Sequence, residues 1–315
     1  MARLDSLLTL RQLRYFVSVV EHRNISSAAK ALHIAQPSLS RQIGLLEEAL
    51  KEQLLVRHVD GVSITDAGDR LYGLAQGVLD RVNAAKTEVL GKPRVPEGRV
   101  SVAIPSMAGS GLMIDVVQTC RNEIPLVDLQ LIDGFSNLNA QLLTAGMVDF
   151  GLVYGADSVP GLQYENLLIE RLYLVRANKL AARDRRKKIT FEEICTIPLV
   201  VGPRETHLRN YLEHNASALG LSINFAYEQR SAGVIAAFVR AGIAASVSNW
   251  PSIQNELGPT GMTIQEIVQP ALERPVALGY PMSRPLSHAA RAAYDIVKRL
   301  VHERLRNGQW RGRSA

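Results

Sequence analysis

Gln36, Ser38, Ser40 and Arg41 fall within six consecutive residues, with Pro37 among them. Short hydroxyls, an amide and a guanidinium fork are the groups that read base edges and hold phosphates. Arrangements that perform covalent chemistry are missing. The sequence has no G-x-S-x-G, no H-E-x-x-H and no Cys or His pair at metal-ligand spacing. Gly109-Ser110-Gly111 is followed by no Gly-Lys-Ser/Thr, so it is no phosphate loop. The expectation is a protein without catalysis, metal or cofactor.

Charge placement sharpens this. The chain has 315 residues and a net charge of +6. Residues 1–94 carry +3, residues 95–297 carry −2, and residues 298–315 carry +5. A near-neutral centre between basic ends excludes a uniformly cationic surface and leaves an anionic partner at one end, with nucleic acid first. The basic end at 298–315 reads as a solvated terminal helix with fraying residues. At 47% apolar and 21% charged, the composition is that of a folded chain. Two cysteines, Cys120 and Cys195, build no disulfide framework and read as small buried residues in a reducing compartment. No run reaches the ~18 apolar residues of a membrane span, and the amino terminus has no apolar signal core. A cytoplasmic location follows as the expectation.

The elements that position Gln36 to Arg41 are legible. Leu10, Leu13, Phe16, Val17 and Val20 recur at helical spacing over 10–22. Asn24 and Ser26 are N-cap types before a small-residue helix at 27–32. Pro37 opens a third helix, with Leu39, Ile43, Leu46 and Leu50 on one face. A helix-turn-helix results, and the exposed start of its second helix fits a major groove. Leu54–His58 and Val62–Thr65, broken at Asp60-Gly61, read as a hairpin wing. From Thr65 to about Gly91 a thin stripe of Leu71, Leu74, Val78, Val82, Ala85 and Val89 suits pairing of helices from two subunits. Gly91-Lys92-Pro93 and Pro96-Glu97-Gly98 then form a hinge.

The run LRQLRYFVSVVEHRNISSAAKALHIAQPSLSRQIGLLEEAL, then LLVRH and GVSITDAGDRLY, resembles the LysR-type transcriptional regulators. Within that family it is most similar to the nitrogen assimilation control subgroup, where regulation need not require a small-molecule co-inducer. The resemblance implies a winged helix-turn-helix in which Gln36, Pro37, Ser38, Ser40 and Arg41 match the recognition-helix motif. Ser26 joins them as a DNA contact, and Arg57 at the wing base as a phosphate contact. Three departures stand out. Ala35 replaces a capping Ser, which removes about 1 kcal/mol unless a cap comes from elsewhere. Asp60 and Ser63 stand where wing residues are commonly basic, and an acidic tip repels phosphate.

From Arg99 onward, short apolar runs alternate with helical segments, the pattern of βαβ units and a mostly parallel sheet. Strands are expected at 100–104, 126–131, 150–154, 172–175, 199–201, 222–226, 244–247 and 276–279. Helices are expected at 112–122, 138–144 and 286–305, the last closing the chain. The fold class is α/β overall. The family plan implies an effector domain of two lobes, as in periplasmic binding proteins. The boundaries are 1–66 for the DNA-binding domain, 67–97 for the linker helix and hinge, and 98–310 for the effector domain. Lobe one takes 98–171 and 275–305, and lobe two 172–274. Ser106 and Ser136 match family positions that line the effector pocket. Met107, Gly202, His207 and Ser231 join them by analogy, and the strand-end serines suit a small anion or carboxylate. Ser248-Asn249-Trp250-Pro251 departs from the family at the pocket rim.

The resemblance implies double-stranded DNA, a second copy of the chain in a dimer or tetramer, RNA polymerase and a small effector as partners, with no membrane. An alternative stays open: a cytoplasmic small-molecule-binding protein whose helical amino-terminal domain docks a partner.

Overall fold

The computed structural model describes residues 8–58, 61–90, 95–181, 184 and 186–315. It forms two compact units, residues 1–94 and residues 95–315.

In the first unit, α1 (Leu10–His22), α2 (Ile25–Ala31) and α3 (Gln36–Leu50) precede a hairpin of β1 (Leu55–His58) and β2 (Gly61–Ile64). A long helix, α4 (Asp66–Leu90), follows. Local chemistry sets each boundary. Thr9 and Gln12 exchange side-chain and backbone bonds in a capping box that starts α1. Asn24, and not Ser26, caps α2: its Oδ1 accepts the N–H groups of Ser26 and Ser27. Phe16, Val19, Ala28, Leu39, Ile43, Leu46 and Leu54 fill the core between the helices and the hairpin. The wing is tied to the end of α1, where Arg23 O accepts the Val62 N–H at 2.9 Å. A Cβ at Gly61 would lie 2.5 Å from that carbonyl oxygen, so only glycine fits there. Thr65 Oγ1 accepts the Gly68 N–H and opens α4.

The second unit begins with β3 (Glu97–Pro105), α5 (Ser110–Glu123), β4 (Leu126–Gly134), α6 (Ser136–Thr144) and β5 (Phe150–Tyr154). Then β6 (Leu162–Ala177) runs through both lobes. Lobe two adds α7 (Asn178–Ala181), β7 (Lys188–Thr190), α8 (Phe191–Thr196), β8 (Leu199–Val201), α9 (His207–Ala218) and β9 (Phe225–Glu228). It continues with α10 (Ala232–Arg240), β10 (Ser246–Asn249), α11 (Trp250–Ser252) and β11 (Met262–Val268). The chain returns through β12 (Glu273–Pro281) to α12 (His288–Arg306) and ends in β13 (Gly312–Ser314). The main sheet runs β4-β3-β5-β12-β6-β11-β7, with β10 and β13 also paired to β6. One apolar core packs α5 and α12 on the lobe-one strands. Others lie beneath α8–α10.

Two expectations need correction. The sheet is mixed rather than mostly parallel. β3 pairs in parallel with β4 and β5, but β12, β10, β11 and β13 all meet β6 antiparallel. Chain that passes into lobe two and returns must reverse direction beside itself. Nor does the closing helix fray into solvent. After α12 the chain turns, buries Trp310 completely and adds β13 to β6. A Cβ at Gly312 would stand 2.2 Å from Ile169 O, so β13 lies flush on its partner. Four of the six basic charges there are paired within the unit: Lys298 with Glu165, Arg299 with Glu123, Arg304 with Asp115 and Arg313 with Glu273. Of the basic residues at 183–188, Arg186 is engaged likewise. Arg186 bridges Asp184 and Glu193, while Arg183 and Arg185 lie outside the described residues.

Candidate functional site

The first candidate surface is the start of α3. Gln36, Pro37, Ser38 and Arg41 are exposed and Ser40 is half-buried, while Leu39 and Ile43 anchor the opposite face. Ala35 occupies the N-cap and offers no side-chain bond; Pro37 brings no N–H, and the Ser38 N–H turns back to Ala35 O at 3.0 Å. Ser26 stands exposed in the first turn of α2. Arg57 of β1 donates to Ser40 Oγ at 3.0 Å, which sets the wing base against the recognition face. Ser63 is held to the His58 ring at 2.8 Å, and Asp60 lies outside the described residues. On α4, Leu74, Val78 and Val82 are exposed along one face. Leu71 instead packs inward beside Ala75. The side chains of Ala85 and Val89 lie outside the described residues.

The second candidate is a cavity between the lobes of the effector unit. About 60 Å³ in volume, it is lined by Ser106 and Met107 after β3, by Ser136 at the start of α6, and by Gly202, Thr206 and Arg274. The space above it, about 370 Å³, is lined by Ser110, Asp133, Arg230 and Ser231 among others. Ser106 donates to Asp133 Oδ1 at 2.6 Å. Gly202 leaves room for its neighbours: a Cβ there would meet Thr206 at 3.1 Å and Phe135 at 3.4 Å. Ser231 caps α10 and borders only the outer space.

Three features escaped the sequence reading. Arg274, on β12, is 1% exposed and reaches the cavity lining. Its Nε donates to Glu170 Oε1 at 2.7 Å. The other oxygen, Oε2, accepts from Asn249 Nδ2 and Trp310 Nε1, each at 2.8 Å. Asn249 is the residue that departs from the family at the rim. Charged residues rarely sit inside without partners, but no periodicity marks which Arg and which Glu will meet across 104 positions.

His207 does not line the cavity. Its ring stacks on Tyr211 and tilts against Tyr154, and its Nδ1 is buried without a partner. Burial, reinforced by the Arg274 charge, lowers its pKa to about 4. The unfolded chain therefore takes up this proton near the ordinary value of 6.5, while the folded chain resists until about 4. Stability supplied by neutral His207 is complete above the ordinary value and falls away as pH drops towards 4. His207→Phe keeps the stack and removes the proton site. Urea midpoints at pH 7 and pH 5 should fall less in the variant than in the parent; equal falls would refute the assignment. The cysteines are inert by comparison, with burial foremost in pushing the Cys120 thiol up to about 11.

The chain thus joins a winged helix-turn-helix unit to a two-lobed α/β unit with an interlobe cavity, the architecture of a DNA-binding module coupled to a ligand-sized cleft. Residues 10–69 match the family model for the bacterial regulatory helix-turn-helix protein, lysR family, and residues 93–301 match the LysR substrate binding domain. The chain belongs to the LysR family, and is a DNA-binding transcriptional regulator rather than an enzyme. The resemblance seen in the first ninety residues thus holds along the chain, and the alternative of a binding protein with a docking module falls. Among its relatives, the nitrogen assimilation regulatory protein nac of Klebsiella aerogenes is 28% identical over 93% of this chain and 95% of that one. The Escherichia coli (strain K12) protein of the same name is 26% identical over the same shares. A full-length OxyR variant from Pseudomonas aeruginosa has the same fold, with a TM-score of 0.72 at 18% identity over 93% and 97% of the two chains. CbnR complexed with its target DNA aligns at a TM-score of 0.53 and 22% identity, over 93% and 99%. No helix among the described residues is long and apolar enough to cross a membrane.

Proposed function

We propose that the start of α3 enters the major groove, with Gln36, Ser38, Ser40 and Arg41 reading base edges. Ser26, Pro37 and Arg57 set the register against the phosphate backbone. The observation that carries this reading is the Arg57–Ser40 bond, which joins wing and recognition helix into one exposed polar surface. Two copies pair through α4, using the exposed Leu74, Val78 and Val82, with Ala85 and Val89 continuing the stripe and Leu71 holding the helix to its own unit. A dimer or tetramer then meets a pseudo-palindromic site in the cytoplasm and presents itself to RNA polymerase. The domain limits follow as 1–66, 67–97 and 98–310.

In the effector domain, the cavity at Ser106, Met107, Ser136 and Gly202 takes a small anionic effector that shifts the population of subunit arrangements. The names of the two nac relatives support a role in nitrogen metabolism. Footprinting on DNA upstream of its own and neighbouring genes tests the central claim. Protection of two half-sites about one or two helical turns apart is the expected result. Protection that competitor DNA of random sequence abolishes at equal mass would sink it.

A further inference from the structure

Three side chains from separate parts of the fold converge on one buried carboxylate. Glu170 lies on β6 where that strand leaves the lobe-one sheet, opposite Arg274 of β12 and Gly312 of β13. An arginine and a carboxylate normally form two parallel bonds. Here Glu170 gives Arg274 one oxygen only, because Asn249 and Trp310 occupy the other. The Tyr154 ring covers the guanidinium face, its centroid 3.7 Å from Cζ. Arg274 Nη2 meets the Met107 sulfur at 3.5 Å, and a thioether is a weak acceptor. Arg274, Met107 and Tyr154 all line the cavity. A fully buried cation is thus fixed on one edge and one face, while its terminal edge looks onto soft, displaceable sulfur.

We propose that Arg274 is the residue that receives the ligand's charge in this cavity, and that Glu170, held by Asn249 and Trp310, positions it for one short monocarboxylate. The proposal rests on the reading of the cavity as an effector site, and names its chemistry. The start of α6 adds to the attraction. Its N-cap, Phe135, supplies no side-chain bond, and both Phe135 and Ser136 face the cavity, so backbone N–H groups there favour an anion. Each negative charge on that anion adds to its cost, which favours a monoanion over a dianion. Glu170 already compensates Arg274, and Glu256 also borders the cavity with its carboxylate on the Ser110 N–H at 3.4 Å. A dianion would add uncompensated charge in a low-dielectric space. Size limits it too. At about 60 Å³ the cavity is well below the ~150 Å³ that accommodates benzene.

Acids and their amide isosteres separate the alternatives. The full-length protein is titrated with acetate, propionate and butyrate, with the corresponding amides, and with malonate and succinate. Binding is followed by thermal shift and by the fluorescence of Trp250 and Trp310. Monocarboxylates should bind, with amides and dianions at least about tenfold weaker, as expected for loss of a charge-assisted pair. Arg274→Lys, which keeps the charge and loses the fork, should weaken acid binding about tenfold or more. Trp310→Phe should lower the preference for acid over amide severalfold, because the released oxygen of Glu170 turns to Arg274. A purely structural tryptophan would weaken acid and amide alike. Should Arg274→Lys fail to fold, Arg274→Met with Glu170→Gln removes both charges together and is read the same way. Equal binding of amides, or acid binding untouched in the Arg274 variants, overturns the inference and leaves the effector site standing. Silence across acids, amides and dianions overturns the effector reading, and the inference with it.

Discussion

Arg41→Ala should sharply weaken sequence-specific DNA binding while leaving the fold intact. Arg41 is exposed on the second turn of α3 and, among the described residues, forms no ion pair with its own chain. Its removal therefore stays within the ~0.5 kcal/mol typical of an uninvolved surface position. Its loss from the groove is another matter. A bidentate arginine–base pair is worth about 1–3 kcal/mol of discrimination, and the proposed dimer presents two copies. Affinity for the footprinted site should drop by at least about 30-fold, and by more than ten-thousand-fold at the upper end. Non-specific binding should change little, since about one phosphate charge per subunit is the most this side chain neutralises. Anisotropy titrations on the site and on a scrambled duplex measure both. Arg57→Ala supplies the contrast, with a uniform loss on both duplexes and a shallower salt slope. A threefold or smaller loss for Arg41→Ala on the specific site would remove Arg41 from the reading face.

What the sequence makes legible divides along a physical line. Where one local period decides the structure, the sequence reading holds: α1 spans 10–22 as its apolar spacing demands, and β5 spans 150–154 as its unbroken apolar run does. The exposed Gln36–Arg41 surface follows from α3 burying Leu39, Ile43 and Leu46. Local pattern fails where a partner distant in sequence decides. Helices α9 and α10 went unread, the first diluted by polar residues and the second hidden in the apolar run 232–247. At the cavity, Ser106 and Ser136 could be proposed because they follow strand ends and match family pocket positions, and Met107 and Gly202 by analogy with the family. Arg274 could not, because its burial depends on Glu170, Asn249 and Trp310 converging from separate elements. The basic tail misled for the same reason: four of its charges are complemented by Glu165, Glu123, Asp115 and Glu273, which no local window contains.

A chain ending at Asn307 tests that lesson at full scale. Were the last eight residues a solvated fringe, their loss would leave stability unchanged. The structure requires a large loss instead. Trp310 is fully buried against the lobe-one core, and truncating a buried tryptophan to alanine costs about 3–5 kcal/mol. Its departure also removes one of three donors from a carboxylate that is 0% exposed, and an unsatisfied buried acceptor costs about 1–3 kcal/mol more. Losing β13 exposes one edge of β6, along with the Arg171 N–H now bonded to Arg311 O. Even at about 4 kcal/mol in total, a domain of this size should melt about 10 °C lower. Trp310→Phe separates the contributions, because the ring still packs while the donor is gone, so only the smaller share should be lost. Calorimetry of the full-length protein, the Phe variant and the shortened chain reads the order directly. A shortened chain that melts with the parent would mean that Trp310 and β13 do not hold the lobe crossover at all.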